Sequence, residues 1–382
     1  MHQHNHSDET QWPPLSLVIL AILMLVGLGL LGHVSAPAIQ TPINPNQETV
    51  EARVIEVVEQ GTFSQGGLQQ PYQKLRLEIL TGQHAGEAVP VDYGTQNLGS
   101  SAMLYQPDDQ VEVLHTVRPD GSDSFTITGP NRWGPLLTLL LLFVVVIVAV
   151  SRWKGVRSLV GLCVSLYVIT QFILPMILSG ADAVLVTIIG AFALLSVTEY
   201  LIYGWTAKTH AAVLGILISL IITGALAVIF VNATRLTGYG AEEVSYLQTS
   251  GATIDPRGLL LAGIIIGALG VLDDVTISQA SSVFELSGAN PTLGVRELYR
   301  RAMNIGRDHI ASTVNTLVLA YVGASLPLFL LFAIYPQPFG QIINLEFVTE
   351  EVMRTLIGSL GLVMAVPITT VLAGILTGRK WK

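Results

Sequence analysis

"GALGVLDDVTISQASSVFEL", Gly267 to Leu286, begins as an apolar helix and then places two aspartates side by side. The apolar run ahead of them, Gly258 to Leu272, is about fifteen residues long. At ~1.5 Å per residue it is too short to cross ~30 Å of hydrocarbon. For this segment to span a bilayer, Asp273 and Asp274 must be carried into it. On a helix Asp274, Ser278, Ser281 and Glu285 share one face, while Asp273 lies about 100° away with Thr276 and Ala280 on its side.

The composition sets the same frame. A chain of 382 residues with 51% hydrophobic and only 12% charged residues, and a mean hydropathy of +0.59, has the profile of an integral membrane protein. Its 19 Lys and Arg residues form no basic block, which argues against nucleic-acid binding. The single cysteine, Cys163, excludes an intramolecular disulfide or a thiolate metal cluster.

Eight apolar segments are legible, at about 14–34, 133–151, 157–179, 182–204, 209–232, 257–285, 309–334 and 354–377. The expected fold is a polytopic α-helical membrane protein of about eight transmembrane helices. Pro175, Pro327 and Pro367 fall within spans and are expected to kink them. No Lys or Arg precedes the first span, so it reads as a retained helix rather than a cleaved signal. The histidines at positions 2, 4 and 6 form either a polar tail or a loose metal chelate.

Basic residues in "SRWKGVR", Lys208, Arg296, Arg300, Arg301, Arg307 and the C-terminal "GRKWK" fall on one side of the spans. By the positive-inside rule both termini are cytoplasmic and the segment at about 45–131 is exported. The expected division is therefore a tail and first helix at about 1–44, the exported domain, and a seven-helix domain at about 132–382. Within the last, "LGVRELYRRAMNIGRDH" lies in a basic loop at about 286–308. It reads either as an amphipathic surface helix or as an ordinary inter-span loop.

The exported segment has strand character. "EARVIEVVEQ", "YQKLRLEIL", "EAVPVDY", "DQVEVLHTV" and "DSFTITG" alternate apolar and polar residues, with the turn signal "RPDGSD" between the last two. Five short strands imply a small all-β, OB-like domain. No His, Cys or carboxylate cluster in it reads as catalytic.

The polar theme recurs in two further spans. Asp308, Ser312 and Asn315 form one stripe, flanked by Thr313 and Thr316; Glu199 lies in "LLSVTEYLIYGW" with Ser196 and Tyr203 near its face. Every Lys and Arg sits at the edge of a span or in a loop, so no internal salt bridge offsets the burial of Asp273, Asp274 and Glu199. The acids then either carry protons or hold a cation from solution. The plainer reading is that protonated aspartates hydrogen-bond to neighbouring hydroxyls and glue helices together. Enzyme signatures are missing: there is no GxGD, HExxH or Walker A pattern and no serine–histidine pairing. No enzymatic activity and no cofactor are expected.

"LGVLDDVTISQASSVFEL" followed by "RELYRRAMNIGRDHIASTVNTLVLAYVGASLPL" closely resembles the YibE/F family of multi-span bacterial proteins, and "ILTGQHAGE" extends the likeness into the exported segment. The resemblance implies a permease and leaves its substrate open. A weaker architectural likeness is to SecD/SecF and RND-type modules, whose intramembrane acid is tied to proton flow. It implies Asp273 or Asp274 as proton carrier with Asn315 or Thr316 as partner, although span count and external domain size differ.

The expected activity is secondary transport coupled to protons or a small cation. Asp273 and Asp274 form the ion site, Thr276, Ser278, Ser312, Asn315 and Thr316 supply neutral oxygens, and Glu199 a second site. A hard divalent metal on Asp273 and Asp274 is a candidate substrate. The alternatives are an accessory factor for protein export or membrane-protein assembly, and a structural scaffold. Expected partners are the bilayer, a small ion or molecule, and a second copy or membrane subunit.

Overall fold

The computed structural model describes residues 15–35, 47–65, 68–94, 104–249 and 254–378. The N-terminal histidines and the basic residues of the C-terminal "GRKWK" lie outside them. The chain divides into two compact units, one of Ala38–Ile147 and one of Met1–Pro37 with Val148–Lys382.

The first unit is a single antiparallel sheet of β1 (Gln47–Gln65), β2 (Leu68–Ile79), β3 (Ala88–Tyr93), β4 (Gln110–Val117) and β5 (Asp123–Pro130), in the order β3-β2-β1-β4-β5. All five strands expected from alternation are present. The same alternation buries one face, with Val50, Ala52 and Val54 of β1 packed on Leu75, Leu77 and Ile79 of β2 and on Val111 and Val113 of β4. Register shifts at Val54/Glu56 and Val57/Glu59 bend β1 so that it pairs along its length with two partners. Edge strands β3 and β5 approach each other, which curls the sheet. Buried Gln73 ties Tyr105 to it by donating to the Tyr105 carbonyl (3.0 Å) and accepting from its N–H (2.8 Å).

The helices are α1 (Leu15–Ser35), α2 (Trp133–Val168), α3 (Leu174–Leu178), α4 (Ala183–Tyr203), α5 (Ala207–Ala233), α6 (Glu242–Thr249), α7 (Pro256–Ala289), α8 (Val295–Ala324), α9 (Leu326–Ile334), α10 (Phe339–Ile342) and α11 (Glu346–Leu376). Their starts are chemically marked. Asp182 accepts from the Leu185 N–H (2.7 Å), Thr206 caps Thr209, and Asp255 caps Arg257 and Gly258 ahead of Pro256. α2 leaves helical geometry at Arg152 (φ 50, ψ −130), a left-handed φ that a bulky residue adopts only where the helix breaks. Beyond it the chain passes through a π-helical turn, Ile169–Ile173, just before Pro175.

Among the described residues six helices are long and apolar enough to cross a membrane, or seven if α8 and α9, bent by 63°, count as one span. That bend falls at Ser325, where Pro327 ends the helical ladder. Pro367 by contrast is accommodated inside an unbroken α11.

Two boundaries differ from the sequence reading. The basic segment at 295–308 is neither a loop nor a separate surface helix; it is the first half of α8, continuous with the following span. The cause is an unbroken apolar stripe, in which Leu298 and Ala302 are buried and Met303, Ile310, Val314 and Leu317 pack beside Val275, Leu362 and Val366. α11 also starts earlier than expected. Its Glu346 accepts from the N–H groups of Thr237 (2.6 Å) and Gly238 (2.9 Å), and Glu350 from that of Gly240 (3.1 Å), so its first turns are fastened to the loop after α5.

α5, α7 and α11 pack against one another as the centre of the helical unit. Without water to drive them together, helices in a bilayer associate through close van der Waals fit, which small residues permit. α5 carries Gly215, Ser219 and Thr223 on one face, and α11 carries Gly361, Ala365 and Thr369. A Cβ on Gly215 would collide with Thr369 Oγ1, and one on Gly361 with Thr223 Oγ1. Each threonine thus fills the notch left by a glycine on the antiparallel neighbour. Gly361→Ala is expected to destabilise the protein by about 1–3 kcal/mol through overpacking. Adding Thr223→Ala should restore most of the loss, as read from thermal unfolding in detergent.

Candidate functional site

Glu199 and Asp273 occupy a polar layer between two apolar ones. On α4, Leu195 belongs to a buried cluster with Ile216, Leu269, Leu272 and Ala365, whereas Tyr203 packs on a second cluster with Ala211, Ile277, Ala280 and Ala373. Glu199 falls one helical turn from each of Leu195 and Tyr203. On α7, Asp273 follows Leu272 of the first cluster and precedes Ile277 of the second. On α11, Thr369 sits midway between Ala365 and Ala373.

α4 packs on α7, and the Asp273 carboxyl comes within direct electrostatic reach of Glu199. Glu199 is fully buried and Asp273 half-buried; the two carboxyls lie within hydrogen-bonding reach of each other, and apart from that contact neither Glu199 oxygen, Asp273 Oδ1 nor Thr369 Oγ1 has a partner. The Tyr203 side chain lies within reach of Glu199, Asp273 and Asp274 together. Among the described residues, no ion pair involves any of the three acids. A buried carboxyl oxygen without donor or cation is costly.

The remaining sequence-predicted residues are placed differently. Asp274 is exposed, because the turn of the helix between neighbouring residues points it away from α4; it is not buried beside Asp273. Ser278 is half-buried. Thr276 is buried, and its hydroxyl donates to the Asp273 carbonyl (3.2 Å). Ser312, Asn315 and Thr316 are exposed on α8, and the Thr316 hydroxyl donates back to the Ser312 carbonyl (3.0 Å). No hydrogen bond among the described residues joins them to either aspartate. The expected pairing of Asp273 or Asp274 with Asn315 or Thr316 is therefore not formed, because α8 packs through its apolar stripe and turns the polar one outward.

One buried group, Gln279, and one half-buried pair, Tyr200 with His210, are not evident from the sequence. Gln279, on the face of α7 opposite the serines, donates to the Ala302 carbonyl (3.1 Å) and to Thr370 Oγ1 (2.7 Å), tying α7 to α8 and α11. Near Glu199, Tyr200 and His210 share a hydrogen bond (2.8 Å) against Trp205.

Long apolar helices enclosing a buried acid pair define a multi-span membrane protein. The family model described as YibE/F-like protein matches residues 139–379, well over half of the chain. The chain belongs to the YibE/F family, as its "DDVTISQ" and "GRDHIASTVNTLVLAY" motifs led one to expect. No curated protein and no solved structure matches it.

The two kinds of buried polar group should respond oppositely to substitution. Gln279→Leu removes two hydrogen bonds and is expected to cost about 1–3 kcal/mol. Glu199→Gln and Asp273→Asn remove unpartnered acids and should leave the melting temperature unchanged or higher, measured on purified protein in the same detergent.

Proposed function

We propose that this protein is a permease, a secondary transporter whose driving ion binds between Glu199 of α4 and Asp273 of α7. The carrying observation is that these two carboxyls, one buried and one half-buried, meet with no partner on Glu199 or on Asp273 Oδ1 other than each other and no cationic side chain paired to them. A proton shared by the pair meets that need with the least rearrangement, since two adjacent carboxylates in a medium of low dielectric cannot both stay ionised. Asp274, exposed one residue away, is the group through which an ion exchanges with the aqueous side. Thr276 and Ser278 line that route, while Ser312, Asn315 and Thr316 face away and take no part in the resting state. A hard divalent cation is the second ion that carboxylates and hydroxyls suit, with Asp273 and Asp274 as its ligands.

In this reading the helical break at Arg152 separates two spans. Together with the bent α8–α9 pair, it gives eight crossings of a bacterial cell membrane, with both termini in the cytoplasm and the β unit outside. The strand order β3-β2-β1-β4-β5, with β3 and β5 drawn together, supports an OB-like barrel. No enzymatic role is proposed.

An accessory role in protein export is the second reading, favoured by the β unit's forming a compact body of its own. The two are separated in proteoliposomes. An imposed pH or cation gradient should drive flux that falls at least about tenfold in Glu199→Gln and in Asp273→Asn, with a smaller loss in Asp274→Asn. Unchanged flux in both of the first two variants would refute the transport reading.

A further inference from the structure

We infer that the β unit carries a binding site for a divalent first-row transition metal, formed by His84, His115 and Asp123. This site is independent of the intramembrane acids.

Three separate pieces of chain build it. His115 stands on β4 in the row of inward-facing residues that includes Val111 and Val113, and it is 7% exposed. It pairs across the sheet with Phe125 of β5, whose ring stacks on the imidazole at 4.9 Å. Asp123, two residues earlier on β5, therefore lies on the same face and diagonal to His115. His84 comes from the turn between β2 and β3, in the "ILTGQHAGE" stretch. That turn is shaped by Gly82 (φ +84) and Gly86 (φ +89), a left-handed backbone suited to glycine. It brings the His84 ring to 4.7 Å from that of His115, edge to face.

The three ligand atoms lie within 4.8 Å of one another. His115 Nε2 is 2.7 Å and His84 Nε2 4.0 Å from the same atom, Asp123 Oδ1. Around a tetrahedral zinc with bonds of about 2.0–2.1 Å, ligand atoms sit about 3.3 Å apart. The two contacts to Asp123 change by less than about an ångström, and the histidine–histidine separation, at most 4.8 Å, closes by up to about 1.5 Å. Asp123, the exposed member, is free to make its part of the adjustment.

The hydrogen-bond inventory separates this cluster from a plain histidine–aspartate pair. His84 Nδ1 lies 3.0 Å from Glu87 Oε2, and a carboxylate there requires an N–H. With that N–H spent on Glu87, the Nε2 edge toward the Asp123 carboxylate is completed either by a second proton or by a metal ion. A metal ion between them bonds to both. Glu87 then plays the part of the outer carboxylate that orients a ligating histidine. Two imidazoles and one carboxylate suit zinc and its neighbours better than magnesium or calcium, and a fourth position is left for water or an outside ligand.

The test is zinc binding by the full chain in detergent, without an affinity tag and with His2, His4 and His6 replaced by alanine so that the tail contributes nothing. Equilibrium dialysis followed by elemental analysis should give one zinc per chain. That zinc should be retained in Asp273→Asn and Glu199→Gln. Affinity should fall more than about 100-fold in His84→Gln and Asp123→Asn, and by about 10–100-fold in Glu87→Gln. His84 and Asp123 lie outside the sheet's core, so these variants are expected to keep the circular dichroism of the parent. Cobalt substitution should give the intense visible bands of a tetrahedral site. Zinc bound equally well by His84→Gln and Asp123→Asn, no zinc bound by the parent, or zinc lost only with the intramembrane acids would each overturn the assignment.

Discussion

A carboxyl group surrounded by hydrocarbon has few stable states: it keeps a proton, finds a cation, or drags its helix toward water. The central layer of the helical unit is organised around that restriction. Glu199 and Asp273 are enclosed by an apolar cluster on either side, and the donors that usually quiet a buried acid are missing from their oxygens. Some hydroxyls of the helices around this layer are occupied by their own backbone, although that of Thr369 is not. Thr198 returns its proton to the Leu194 carbonyl and Thr223 to that of Ser219. The layer is polar, and its hydrogen bonding is incomplete.

The scaffold around the layer is built from contact at short range. α5 and α11 meet through glycine and threonine, α7 and α11 through Gln279 and Thr370, and the loop after α5 is held by Glu346 and Glu350. None of these is an ion pair. In this unit directional bonds and shape do what charge does at a water-exposed surface, and charged pairs such as Glu297 with Arg300 and Arg301 (2.7 and 2.6 Å) lie at the helix start.

Much of this was legible from residue order, for definite reasons. Apolar runs of membrane length and the five alternating segments depend only on local periodicity, and both survive in the structure. Asp273 and Glu199 stood out because an acid inside an apolar run is rare. What periodicity does not carry is which face of a helix meets which neighbour. Asp273 and Asp274 are neighbours in sequence, yet the first is half-buried beside Glu199 and the second is exposed. The stripe of Ser312, Asn315 and Thr316 looked like a lining, but the apolar stripe on the same helix won the packing contest. His84, His115 and Asp123 have no motif spacing at all; they meet only after the sheet has brought β4 and β5 together under the β2–β3 turn.

The interlocked glycines and threonines of α5 and α11 also limit how the molecule can deform. A threonine seated in a notch at each end of the contact acts like a pair of dowels: the two helices cannot slide along each other without first parting. Any rearrangement that gives Glu199 and Asp273 access to opposite aqueous faces must carry α5 and α11 together as a single post. The displacement then falls to α4 and α8, the helices bordering that post through looser seams.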